Sequence, residues 1–308
     1  MKQLLWKFIH LTVLAIFILV SGVSIAAADH SWSTYHWART TDTFIVPVGD
    51  NTTSLSWHTT LEDVISDWFS GKGSNVDKDY TNSTVCPTSG SSPCISVIVK
   101  PQKATGVAGN NCGAVQGTTQ VCNKTYGANG WLGLATIWLN GGHITKGTAK
   151  MNDTYLSKSG GRYNTVNERR HVMCQEVAHT FGLGHQSTSG VSLDTCMDYY
   201  SNTGTQAEST LSIIPNYHDY EQLSRIYANH LDSITTLSAT GIAPAQANAR
   251  DDESPKEWGR LSNQSQDGRS SVYEQDLGLG IRIIRHVRWT EETAAKCPAC
   301  DHRFHDKE

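Results

Sequence analysis

The sequence predicts a mixed α/β (α+β) domain, one twisted sheet backed by three main helices, followed by a small C-terminal β appendage. Short β-rich runs alternate with amphipathic helical stretches, which is the pattern of a sheet covered by helices. Gly, Ser and Asn fill the stretches between them and mark loops. After residue 231 the composition turns polar and aperiodic, then regains alternation, so the C-terminal part stands apart.

The elements follow in order. Thr43 to Val48 (TFIVPV) reads as a strand. Thr59-x-x-Glu62 has the form of a capping box, and Leu61, Val64, Ile65, Trp68 and Phe69 follow on one helical face. Residues 71–94 read as a loop, Ile95 to Lys100 as a strand, and 101–130 as a second glycine-rich loop. Trp131 to Leu139 and His143 to Met151 form two strands joined by a hairpin-type turn at Asn140-Gly141-Gly142. A second helix is expected from about Asn164 to Phe181, stopped by Gly182 and Gly184. A third is expected from about Tyr217 to Leu231, with Tyr220, Leu223, Ile226, Tyr227 and His230 inward. Residues 232–256 read as a linker, 257–290 as a β-hairpin appendage and 291–308 as a charged, flexible tail.

The chain has 308 residues, 18% of them charged, and a formal net charge of −4. It lacks the basic excess that neutralises phosphates, so nucleic acid is excluded as a main partner. One long apolar run exists, and it is N-terminal. Lys2 and Lys7 precede an apolar stretch from Leu11 to Ile25, and Ala26-Ala27-Ala28 then supplies small residues for cleavage. Residues 1–28 therefore read as a secretory signal peptide, leaving a domain from 29 to 231. An uncleaved anchor over Phe8 to Ala28 is the competing reading. No membrane contact is otherwise expected.

Export makes disulfides the first reading of the 8 Cys. Cys86 and Cys94 are a close pair inside a polar loop, as are Cys112 and Cys122, and Cys174 with Cys196 is a third candidate pair. Spacing alone leaves the connectivity open. Cys297 and Cys300 stand in the tail with His302 and His305, where a local disulfide and a metal-scavenging tail are both open.

The chemistry concentrates in His171 to His185 (HVMCQEVAHTFGLGH). Positions 175 and 179 are one helical turn apart and share a face, so both side chains can reach one metal. Glu176 sits beside them, where a general base for water is needed. Gly182 can take a left-handed backbone, stop the helix and return His185 to the same place. Then comes Thr195-Cys196-Met197-Asp198-Tyr199.

Gln175-Glu176-x-x-His179-x-x-Gly182-x-x-His185 resembles the metzincin zinc-peptidase motif H-E-x-x-H-x-x-G-x-x-H, with Gln175 in place of the first His. The resemblance covers about residues 30–231 and is narrowest to a group of exported, matrixin-like bacterial proteins. It implies a zinc ion (Zn2+) held by His179, His185 and Gln175, with Glu176 as catalytic base. It implies that Met197 forms a Met-turn beneath the ligands and that Tyr199 acts as an extra ligand or oxyanion stabiliser. A Cys174–Cys196 bridge would then pin the Met-turn to the active-site helix. The implied partner is a protein or peptide substrate.

Gln175 leaves the ligand set open. A neutral amide oxygen is a weaker zinc donor than imidazole. His171 cannot replace it, because eight residues of helix separate it from His179 by about 12 Å. His143, at a strand edge, is an outside candidate, though a surface or substrate-facing role suits it better. Three options remain: Gln175 as third ligand, water or another residue in that place, or no metal and no catalysis. The sequence thus predicts a secreted zinc endopeptidase. The runner-up is a metzincin-fold binding or scaffold protein without turnover, anchored to a membrane if the N-terminal segment is uncleaved.

Overall fold

In the computed structural model, the described residues are 34–71, 84–85, 95–186, 193–198, 212–227, 231–234 and 254–304. The segment read as a signal peptide lies outside them, as do Tyr199 and both members of the first expected cysteine pair, Cys86 and Cys94. The chain runs β1 (His36–Trp37), β2 (Phe44–Asn51), α1 (Leu55–Ser70), β3 (Thr84–Val85), β4 (Ile95–Ser96), β5 (Val99–Lys103), β6 (Thr119–Lys124) and β7 (Trp131–Asn140). It continues with β8 (His143–Asn152), α2 (Asp153–Leu156), α3 (Val166–His179), α4 (Tyr217–Ile226), β9 (Arg260–Gln264), β10 (Ser270–Gly278), β11 (Ile281–Trp289) and α5 (Glu291–Lys296). The fold is mixed α/β, as the patterning predicts. No described helix is long and apolar enough to cross a membrane.

Eight strands follow in the order β5-β2-β6-β8-β7-β11-β10-β9, and β1 joins the same sheet through β8. The β5-β2-β6-β8 side is parallel, and β8 onward is antiparallel. Helices α1 and α3 pack one face. Val64, Trp68, Val172, Val177 and Phe181 join Val46, Val121, Ile137 and Ala149 in the main core. Burying a side chain of this size contributes about 1.5–3 kcal/mol.

The strand read over Ile95 to Lys100 is split into β4 and β5, and the helix read to Leu231 ends at Ile226; three larger differences from the sequence reading bear on the site. Helix α1 starts earlier, because the Ser54 side chain caps it by accepting from the Trp57 amide; Thr59 and Glu62 lie inside the helix. Strand β6 runs through the stretch read as loop. It carries few apolar residues, and its buried polar ones are satisfied by hydrogen bonds. Thr119 Oγ donates to Thr180 Oγ, Gln120 to the Val107 carbonyl and Asn123 to Thr53 Oγ.

The C-terminal segment is the third difference. A separate hairpin and a flexible tail were expected. Instead β11 lies antiparallel along β7, from Ile281 opposite Asn140 to Trp289 opposite Trp131. Trp131 and Leu134 of β7 share a second core with Trp258, Tyr273, Val287 and Trp289. The tail residues form α5, docked where Tyr163 Oη donates to Glu292 at 2.6 Å and Arg162 pairs with Glu291 at 2.5 Å. An antiparallel edge with an apolar outer face needs such a cover.

Candidate metal centre

Helix α3 is capped by Thr165, which accepts from the Glu168 amide, and it ends at His179. The chain then turns through Gly182 at φ 98°, a backbone that favours glycine. A side chain on Gly182 would run into the Tyr35 carbonyl. The turn returns His185 to the helix, with the His179 and His185 ring centroids 4.6 Å apart. His179 Nδ1 lies 2.7 Å from the Leu183 carbonyl, so this nitrogen carries the proton and Nε2 is the one offered to a metal.

The third imidazole is His286, from β11. Its ring stacks on His179 at 3.8 Å and stands 5.3 Å from His185. Ligand nitrogens of His179, His185 and His286 all lie within 4.8 Å of one another. Strand register explains the meeting. Ile284, His286 and Arg288 alternate onto one face of β11 and stand opposite Ile137, Ala135 and Gly133 of β7. The last two are small and leave room beside α3. A methyl group on Gly133 would strike the Glu176 carboxylate. Glu176 thus sits against Gly133 and the Ala135 amide, and Ala135 is the residue opposite His286.

Gln175 is buried in the same helix, but its amide is turned to the segment Cys196 to Asp198. Nε2 donates to the Cys196 carbonyl at 2.9 Å and to that of Asp198 at 2.8 Å. The Cys174–Cys196 disulfide ties the same two segments, and Cys112–Cys122 is bridged as well. Cys297 and Cys300 form a local disulfide. The bridge expected between Cys86 and Cys94 is not among these disulfides, because both residues fall outside the described ones. Met197 is buried in the main core, and its carbonyl accepts from the Gln186 amide at 2.6 Å. His171 is fully buried, with Nδ1 2.6 Å from the Ser212 carbonyl.

The centre is closed to solvent. Gln175, Glu176 and His179 are 0% exposed, His286 2% and His185 9%. Burial pushes the Glu176 carboxyl well above the usual range, against the pull of Arg288 and the Ala135 amide. Burial also lowers His179 to about 3. His286 falls well below the ordinary imidazole value, through burial and then its neighbours His179 and His185. A cavity of about 410 Å³ lies elsewhere, between α2 and α5, lined among others by Tyr155, Arg162, Tyr163 and Lys296. None of the centre's residues lines it.

Sequence reasoning groups Glu176, His179, His185, Met197 and the Cys174–Cys196 pair; the structure sets His179 beside His185 and bridges Cys174 to Cys196. The sequence reading missed His286, which stands more than a hundred residues downstream in an appendage read as separate. The signal was the alternating run Ile281 to Trp289, whose single histidine faces the same side as Ile284 and Arg288.

Fold and site together define a mixed α/β protein with a buried three-histidine centre beside a glutamate. Compared with protein-family models, curated proteins and solved structures, the chain matches none.

Proposed function

We propose that the protein is a secreted zinc-dependent endopeptidase of the metzincin type, in which His286 supplies the third ligand beside His179 and His185. The observation that carries this reading is the convergence of His286 on the two motif histidines, next to Glu176. Three neutral imidazoles are a donor set that suits zinc and that catalytic zinc sites use. Gln175 then changes role from ligand to anchor, since its amide holds the Met-turn through two carbonyls.

Zinc, when bound, supplies Lewis acidity toward a carbonyl oxygen and toward water. Glu176 takes a proton from the attacking water and passes it to the leaving amine. Gly133 and Ala135 keep the space that Glu176 needs. Tyr199, two residues after Met197, remains the candidate for stabilising the oxyanion. Three disulfides and the signal-like N-terminus support export.

The described form is a closed one. β11 fills the outer edge of β7 and Glu176 is fully buried, so turnover on this reading requires β11 to yield at least locally. That same closure favours a second reading, a zinc-held binding or scaffold protein without turnover. Metal analysis of the mature protein with casein or gelatin cleavage separates the two. The enzyme reading expects bound zinc and cleavage that Glu176→Gln abolishes while zinc is retained. Bound zinc without cleavage leaves the scaffold reading. Failure of His179→Ala to lower the zinc content overturns the centre itself.

A further inference from the structure

A second group of donors lies outside this centre. We propose that His36, His143 and Asp232 form a separate, solvent-accessible site for a borderline divalent cation, zinc being the probe, that clips together the N-terminal strand, the β7–β8 hairpin and the chain beyond α4.

The donors come from three distant segments: β1, the first residue of β8, and residue 232 after α4. One ligand atom from each lies within 4.8 Å of the others. Pairing brings two together, since β1 runs parallel to β8 with His36 in register with His143. Their rings meet edge to face at 4.9 Å. The third is delivered by Arg39. The Asp232 amide donates to the Arg39 carbonyl at 2.7 Å, and the Arg39 amide donates to Asp232 Oδ2 at 2.9 Å. This leaves Oδ1 on the histidine side, 3.1 Å from His143 Nε2.

Two of the donors, His36 and Asp232, are oriented from behind, as metal ligands are. His36 Nδ1 is held by the Thr34 carbonyl at 2.5 Å, so Nε2 is the nitrogen it offers. The Arg39 guanidinium is occupied by the carbonyls of Thr41, Asp42 and Tyr227. Two imidazoles and one carboxylate suit zinc and its neighbours among the divalent transition metals and suit calcium or magnesium poorly. The His143 side chain is 39% exposed and that of Asp232 16%, so an ion can enter from solvent and keep water on its open side.

The clip backs the turn that presents His185. Trp37, next to His36, donates from Nε1 to the Thr180 carbonyl and from its amide to Tyr227 Oη, which in turn donates to the Phe181 carbonyl. Tyr35, on the other side, approaches Gly182. An ion at the clip would stiffen both neighbours of that turn.

The test is zinc stoichiometry of the full mature chain at saturation, for the wild type, His143→Gln and Asp232→Asn. Each variant is expected to bind one zinc fewer than the wild type. The zinc-induced rise in thermal midpoint, about 5 °C for an ion bound well above its Kd, is expected to shrink in both variants. Reading the zinc-induced increment removes the cost of losing the His143–Asp232 contact itself. Unchanged stoichiometry in either variant overturns the site and leaves an ion pair with a neighbouring histidine. A wild type with one zinc and variants with none supports this site and counts against the His179–His185–His286 centre, so the two can fail separately.

Discussion

The centre on α3 and β11 hides its donors, with His179 at 0% and His286 at 2% exposure, whereas the cluster at β1 and β8 leaves 39% of the His143 side chain in solvent. Both gather donors from sequence-distant segments, and both hold one imidazole by a backbone carbonyl at Nδ1, His179 by Leu183 and His36 by Thr34. They differ in what surrounds them. The sealed centre has a glutamate beside it and a strand over it. The open one has water on one side and no glutamate in the group. Enclosure strengthens every electrostatic interaction at the first centre and slows ion exchange there. The same enclosure denies it a substrate until β11 moves. The open cluster has the reverse balance, suited to holding chain segments and not to chemistry.

The largest expected effect breaks the sealed centre alone. His286→Ala removes a donor without touching the motif on α3. Losing a partner behind a ligand commonly costs 10–100-fold in metal affinity, so losing the ligand should cost more than about 100-fold at this centre. Competition with a chelator measures it, and zinc bound through His143 should be untouched. If His286→Ala binds zinc as the wild type does, Gln175 or water completes the site and β11 is a cover only.

How much of this was legible depended on locality. The turn logic around Gly182 and the helix face shared by positions 175 and 179 rest on near-neighbour spacing, and they could be read directly; the Cys174–Cys196 tie spans 22 residues and was implied only by the family resemblance. His286 could not, because its place is fixed by pairing between β11 and β7, and no local pattern records which strand will be a partner. His143 was read as a surface or substrate-facing residue; the parallel register that joins it to His36 is likewise non-local. Strand β6 escaped because its burial is met by hydrogen bonds of Thr119, Gln120 and Asn123, not by apolar side chains. Gln175 looked like a ligand because it occupies a ligand's position. What redirected its amide was the pair of carbonyls of Cys196 and Asp198, more than twenty residues away.

A smaller effect follows from enclosure. His179 is held at about 3 by burial, and His171 at about 3 by burial, with Arg288 and Arg269 adding to it. Both are depressed from an unfolded value near 6.5. In the metal-free protein, the unfolded chain therefore binds more protons between about pH 6.5 and 3, and stability is lost as the pH falls through that window. Each histidine should contribute about 1–2 kcal/mol of that loss between pH 7 and 5. His171→Asn, which touches no proposed ligand, should remove its share, read as a flatter dependence of denaturant stability on pH. An unchanged acid limb would mean that His171 opens to water and is not held neutral by its burial.

The smallest effect distinguishes how the two centres orient their rings. His36 is steadied by a backbone carbonyl at 2.5 Å, but His185 Nδ1 meets the Ser270 hydroxyl of β10 at 3.4 Å, at the outer limit of a hydrogen bond. Ser270 is itself held in place, with its amide donating to Ser265 Oγ at 2.9 Å. Ser270→Ala should therefore lower zinc affinity at the sealed centre by less than about 10-fold, below the usual cost of losing such a partner. Chelator competition on this variant checks the value. A loss of 10-fold or more would show that zinc binding draws His185 onto Ser270 and shortens the contact. β10 would then orient the centre together with β11, and the C-terminal strands would support the ligands as well as cover them.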